Sequence, residues 1–145
     1  MKIKIALIFF ILFFSAGCTG AIKEQSIYIQ EVSTEPLNID PGESFKLYTT
    51  INNPTQLDDQ LYISYNFDTK CISFKSYSKN RETKYSVGEI ESGSQRKVSE
   101  EFTAASESEG QACALVVSIY PTEKTDVYFD QVTKQILIST TGSAT

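Results

Sequence analysis

Residues 26–140 are predicted to fold as an all-β, antiparallel sandwich of seven or eight short strands. Three observations carry the prediction. Apolar side chains recur at every second position, with no sustained helical spacing. Clusters of Gly, Pro, Asn and Ser separate these runs as turn signals. Finally, runs this short give strands without the intervening helices that a parallel sheet needs.

The strands follow in order. Residues 26–32, Ser-Ile-Tyr-Ile-Gln-Glu-Val, form the first, and Asp40-Pro41-Gly42 is a strong turn after it. Residues 43–51 alternate, with Phe45, Leu47, Thr49 and Ile51 on one face and Ser44, Lys46, Tyr48 and Thr50 on the other. Asn52-Asn53-Pro54 ends that run, because proline cannot donate to a ladder. Residues 60–67 alternate again through Leu61, Ile63, Tyr65 and Phe67, and Cys71 to Phe74 is a continuation or an edge strand. Tyr77 to Lys84 is polar and reads as a loop. Lys84 to Ile90 and Arg96 to Thr103 are weaker strands joined by a turn at Glu91-Ser92-Gly93-Ser94. Residues 111–120 are the most apolar, with Cys113, Leu115, Val117 and Ile119 in phase, and the last stretch ends in Ile136-Leu137-Ile138. The expected centre is Phe45, Leu47, Ile51, Leu61, Ile63, Tyr65, Phe67, Leu115, Val117 and Ile119.

A domain of about 115 residues has the size of an immunoglobulin-like sandwich, in which the third and sixth strands lie antiparallel side by side. Cys71 and Cys113 then sit at facing strand ends, in phase with Phe67 and Leu115, and a disulfide within one sheet is expected. It would differ from the inter-sheet bridge of antibody domains, whose tryptophan is also missing. Two buried free thiols are the alternative.

Glu35 to Phe45, with its Pro36 and Pro41-Gly42-Glu43 turn, followed by Thr49-Thr50-Ile51-Asn52-Asn53-Pro54, resembles the opening of extracellular Ig-like modules of the CARDB (cell-adhesion-related) kind. The similarity spans about 30 residues and implies a fold and a surface setting, such as a prokaryotic lipoprotein; it implies no activity. Asn53-Pro54-Thr55 also resembles the start of a loop of chagasin-type cysteine-protease inhibitors. That motif continues Thr-Gly where this chain has Gln56-Leu57, and its later Arg-Pro-aromatic element has only Tyr120-Pro121-Thr122 in a comparable place.

Residues 1–17 read as a signal peptide: Lys2 and Lys4, ten apolar residues from Ile5 to Phe14, then small residues. The apolar run falls short of the roughly 20 residues a bilayer span needs. Ala16-Gly17-Cys18 resembles a lipobox, which implies lipid on Cys18, although Ser15 stands where an aliphatic residue is usual. Ser15 and Gly17 also fit an ordinary secretory cleavage site, and an uncleaved anchor is the third reading. Residues 18–25 then form a tether and residues 141–145 a polar tail. Lipidation of Cys18 accounts for an odd cysteine count, because it leaves Cys71 and Cys113 as a pair in an oxidising compartment. The expected location is extracytoplasmic, anchored by that lipid to the cell membrane or outer envelope.

Loss of residues 1–17 removes two lysines and no acid. Thirteen basic residues less 2 leaves 11 against 18 acidic ones, a net charge of −7. Such a domain disfavours a nucleic-acid partner. There is no histidine, so the commonest general base and metal ligand are missing. No cofactor and no metal is implied. The acidic pairs Asp58-Asp59, Glu100-Glu101, Glu107 with Glu109 and Asp126 with Asp130 have no calcium-motif spacing and read as solvated charge. A carboxylate-based hydrolase would need one pair to be singled out, and nothing does so.

Charge is uneven. Lys70, Lys75, Lys79, Arg81 and Lys84 fall within fifteen positions, with Tyr77 and Tyr85 among them. Lys75, Tyr77, Lys79, Arg81 and Lys84 are the candidate contact with an anionic wall polymer, lipid headgroups or an acidic protein. The competing reading is a charged hairpin that guards a sheet edge. The expected function is a non-enzymatic binding or structural module of the cell envelope, with an accessory subunit of an envelope complex as the alternative.

Overall fold

The computed structural model describes residues 26–140; the leader, Cys18, the tether and the polar tail lie outside them. The described residues form β1 (Tyr28–Glu35), β2 (Ser44–Asn52), β3 (Asp59–Phe67), β4 (Ile72–Phe74), β5 (Tyr85–Ile90), β6 (Gln95–Ala104), β7 (Ala112–Tyr120) and β8 (Asp130–Leu137). One sheet has the order β1-β2-β6-β4 and the other β5-β3-β7-β8, and every neighbouring pair is antiparallel. Without β5, these are the four-strand and three-strand sheets of an immunoglobulin constant-type sandwich. The additional strand β5 follows β4 and extends the second sheet along the edge of β3.

All ten side chains expected at the centre are at most 5% exposed. Phe102 is the hub of one half of the core. It stacks on Phe45 at 5.7 Å and on Phe74 at 5.0 Å, and it meets Tyr65 and Phe67 edge-on at 5.5 Å each. Such aromatic contacts add about 0.5–1.5 kcal/mol each beyond area burial. Thr49 and Tyr65 bring hydroxyls into this interior that have no hydrogen-bond partner among the described residues.

Local chemistry sets the strand ends. Glu43 N–H donates to the Asp40 carbonyl at 3.0 Å and Gly42 has φ 79°, which is the type II turn that Pro41-Gly42 demands. A bulge at Gln30 lets Ile29 and Val32 both face inward although they are three positions apart. The Asn53 side chain is fully buried and organises the turn after β2. Its Nδ2 donates to the Leu57 and Ile90 carbonyls at 2.8 and 3.1 Å, and its Oδ1 accepts from Thr55 N–H at 3.0 Å.

The disulfide pairs Cys71 with Cys113 at a Cα separation of 5.9 Å, but its placement corrects the expectation of a bridge within one sheet. The run 60–74 is not continuous. A tight turn in which Cys71 and Ile72 N–H both donate to the Asp68 carbonyl ends β3 and carries the chain across to the other sheet. Ala105 N–H donates to the Cys71 carbonyl at 2.9 Å, so Cys71 extends the β4–β6 ladder while Cys113 belongs to β7. The bridge therefore ties the two sheets together at one end of the sandwich. It does so at β4 and β7, away from the β2–β7 position that an antibody-domain bridge would occupy.

The candidate binding surface

Residues 75–84 connect β4, at the edge of one sheet, to β5, at the edge of the other. β4 covers only Phe102 to Ala104 of β6. Beyond that point the basic segment meets β6 at Glu101, whose carbonyl accepts from Lys75 N–H at 3.0 Å, and at Glu100 through the Lys79 side chain.

The register explains why cations gather there. Glu100 pairs with Leu47 and Arg96 pairs with Ile51, both inward residues, so these two charges face the interior of the sandwich. Glu101, one position on, faces outward. Each charge has an answer. Lys79 reaches into the gap between the sheets and pairs with Glu100, whose side chain is only 11% exposed. The same ammonium lies 4.7 Å from the Tyr85 ring centre on β5. Arg96 donates to the Val87 carbonyl across the gap at 2.6 Å. It passes close over Gly88, where φ is 87° and a Cβ would come within 2.9 Å of the guanidinium. Outside, Lys75 and Glu101 form an exposed pair at 2.8 Å, and this hydrogen bond holds the Glu101 carboxyl below its usual range.

The five candidate contact residues therefore do different things. Lys75 is spent on Glu101 and Lys79 on Glu100. Lys84 donates to the Thr125 carbonyl, lies 3.5 Å from Asp126 and sits 4.4 Å from the Tyr120 ring centre, which fastens the segment to the loop after β7. Arg81 donates to the Phe67 carbonyl at 2.7 Å and has no carboxylate partner among the described residues. The Tyr77 ring is fully exposed.

Tyr77, Lys79 and Arg81 come together around one depression of about 310 Å³, with Phe67 and Phe74 in its floor and Ser73 and Asn80 in its wall. Arg81 and Lys84 also line a neighbouring depression of about 340 Å³ with Ser64, Asn66, Glu82 and Tyr120. Lys75 is outside both of these: it shares a further depression with Lys79, Ser76, Ser99, Glu100 and Glu101, and on its other side it lies beside Glu35, Ser44 and Lys46. Sequence reasoning passed over Asn80, which shapes the segment. Its Oδ1 accepts from Glu82 N–H at 3.0 Å and Thr83 Oγ1 at 2.8 Å, while the Tyr85 hydroxyl clamps its backbone N–H and carbonyl at 2.7 and 2.9 Å. The local cue was an Asn followed three residues later by Thr in a polar run, a spacing suited to side-chain-to-backbone turns.

The other candidates resolve into structural roles. Loops 53–58 and 121–129 project from the same end of the sandwich, but the inhibitor-like Asn53 turns its side chain inward to hold its own loop. Asp58 accepts from Ser92 N–H and Asp130 from Ile29 N–H, each at 2.8 Å. No three potential metal ligands converge among the described residues.

No protein-family model matches the chain, and no curated protein sequence does. Solved structures do resemble it. A FixG-related protein from Vibrio parahaemolyticus superposes with a TM-score of 0.54 at 10% identity, over 79% of this chain and 97% of that one. A β-glucuronidase of glycoside hydrolase family 2 gives 0.51 at 13% identity, over 77% of this chain and only 12% of the enzyme. The seventh PapD-like domain of human CEP192 gives 0.39 at 12% identity, over 79% of this chain and 88% of that one. At these identities the first two likenesses concern the fold, an Ig-like β-sandwich, and nothing more.

Proposed function

We propose that this chain is a non-enzymatic binding or structural module of the cell envelope, held at a membrane by lipid on Cys18. The observation that carries the reading is the filled interior. Aromatic and branched aliphatic side chains from both sheets occupy the space between them, so recognition falls to the outer surface. The leader pattern, the lipobox-like Ala16-Gly17-Cys18 and the pairing of the other two cysteines support export and tethering. The resemblance of residues 35–54 to CARDB-type modules agrees with a surface role. The test combines fractionation with intact-mass measurement. The expected outcome is a mature chain that begins at a lipidated Cys18 and sediments with membranes, and that Cys18→Ser releases or leaves unprocessed. An unmodified N-terminus elsewhere in a soluble fraction would refute the tether.

A further inference from the structure

We propose that the depression lined by Tyr77, Arg81, Ser73 and Asn80 binds an acidic sugar, a pyranose ring bearing a carboxylate or a phosphate within an extracellular polysaccharide. The inference rests on the reading of the chain as an envelope module and names the partner of its edge segment. Charge comes first. The domain is strongly acidic, yet no carboxylate lines this depression. Lys79 is neutralised by Glu100, which leaves Arg81 as the free positive group in the wall. The bond from one Arg81 nitrogen to the Phe67 carbonyl holds the guanidinium in place. Its remaining N–H groups form the planar fork that matches a carboxylate or phosphate.

The rest of the lining selects a sugar. Thr69, Ser73, Ser76 and Asn80 offer short polar groups suited to ring hydroxyls. Tyr77 presents a whole ring to solvent with no packing role, available to lie against the apolar face of a pyranose. An acyl chain finds little here, because Phe67 and Phe74 in the floor are only 5% and 8% exposed. A volume of about 310 Å³ lies at the lower end for small-ligand sites and suits one ring of a polymer.

Position argues against lipid headgroups. β1 begins at Tyr28, which pairs with Asn52, itself paired with Gln95 at the start of β6. Phe102, beside the depression through its contact with Phe74, lies seven residues further along β6, roughly 23 Å away at strand rise. The depression thus belongs to the half of the domain remote from the start of β1, the end nearest Cys18 in sequence.

The test is calorimetric titration of the detergent-solubilised full chain with a galacturonate oligomer, the matching neutral galactose oligomer, a hexose phosphate, and anionic phospholipid vesicles. One or both acidic sugars should bind, and which one does identifies carboxylate or phosphate as the charged group. The neutral oligomer should bind about tenfold more weakly or not at all, and affinity should fall with added salt. Arg81→Gln should cost about tenfold or more in affinity, the scale of a charged hydrogen bond. Tyr77→Ala, which disturbs no packing, should cost several-fold. Lys97→Gln, on the outer face of β6 over the Tyr48 ring and outside the depression, should change nothing. Equal binding of the neutral oligomer, undiminished affinity in Tyr77→Ala and Arg81→Gln, or binding to vesicles alone would overturn the proposal. Membrane attachment through Cys18 without any sugar binding would sink this inference and leave the envelope reading standing; sugar binding by a chain that is never exported would do the reverse.

Discussion

Replacement of Lys79 by Met should destabilise the fold by about 2–3 kcal/mol, a cost that a solvated loop lysine would not carry. The magnitude comes from the setting of its partner. Exposed ion pairs contribute about 0–1 kcal/mol, whereas removal of one member of a buried pair costs about 3–5 kcal/mol. Lys79 is 31% exposed and Glu100 11%, which places the pair between these limits and nearer the buried one. Loss of the ammonium over the Tyr85 ring adds about 0.5–1 kcal/mol. What remains is a carboxylate on the inner face of β6 with no cation beside it. Glu100→Leu in the Lys79→Met background should therefore recover most of the loss, since neither charge is then stranded. Urea unfolding of the four proteins in the cycle gives both quantities, provided the m-value is constant. A Lys79→Met cost below about 0.5 kcal/mol, or no coupling with Glu100, would show that the ammonium is solvated and does not hold the segment to β6.

Three further outcomes follow from the same structure. Cys71→Ser together with Cys113→Ser should lower stability by roughly 4 kcal/mol, the chain-entropy value for a loop spanning 42 positions, measured as a shift in urea midpoint. Asn53→Ala should cost about 2–3 kcal/mol, because the Ile90 carbonyl and Thr55 N–H lose their partner while the Leu57 carbonyl keeps the Thr55 hydroxyl. Protease inhibition that depended on Asn53 in a still-folded variant would contradict that structural role. Tyr65 has its phenol pushed far above the ordinary tyrosine value by burial, with the nearby Glu100 charge adding to the effect. A raised folded pKa gives stability that is complete below about pH 10, the unfolded value, and is lost as pH rises beyond it. Spectrophotometric titration should find one tyrosine that ionises only as the alkaline fold collapses, and Tyr65→Phe should abolish that late step.

Much of this fold is legible in the chain because a strand's two faces alternate residue by residue. A half-buried strand writes its orientation into every second side chain, so Phe45 to Ile51, Leu61 to Phe67 and Leu115 to Ile119 announce both their existence and their inward set. Asp40-Pro41-Gly42 announces its turn for an equally local reason, since only a few residues tolerate those dihedrals. The cysteine pairing was legible too, but the relation of the bridge to the sheets was not. Whether the chain after Phe67 continues or crosses over depends on which neighbour offers it a ladder, and that neighbour, β6, lies about thirty residues away in sequence. The basic segment shows the same division most clearly. Local sequence marks Lys75, Lys79, Arg81 and Lys84 as a cluster of like charge, but their partners Glu101, Glu100, the Phe67 carbonyl and Asp126 arrive from three other parts of the fold. Coulombic and hydrogen-bond energies depend on distances that only the packed sheets set, so the tertiary structure alone decided that Lys79 is a wedge, Lys84 a tie, and Arg81 the cation left facing outward.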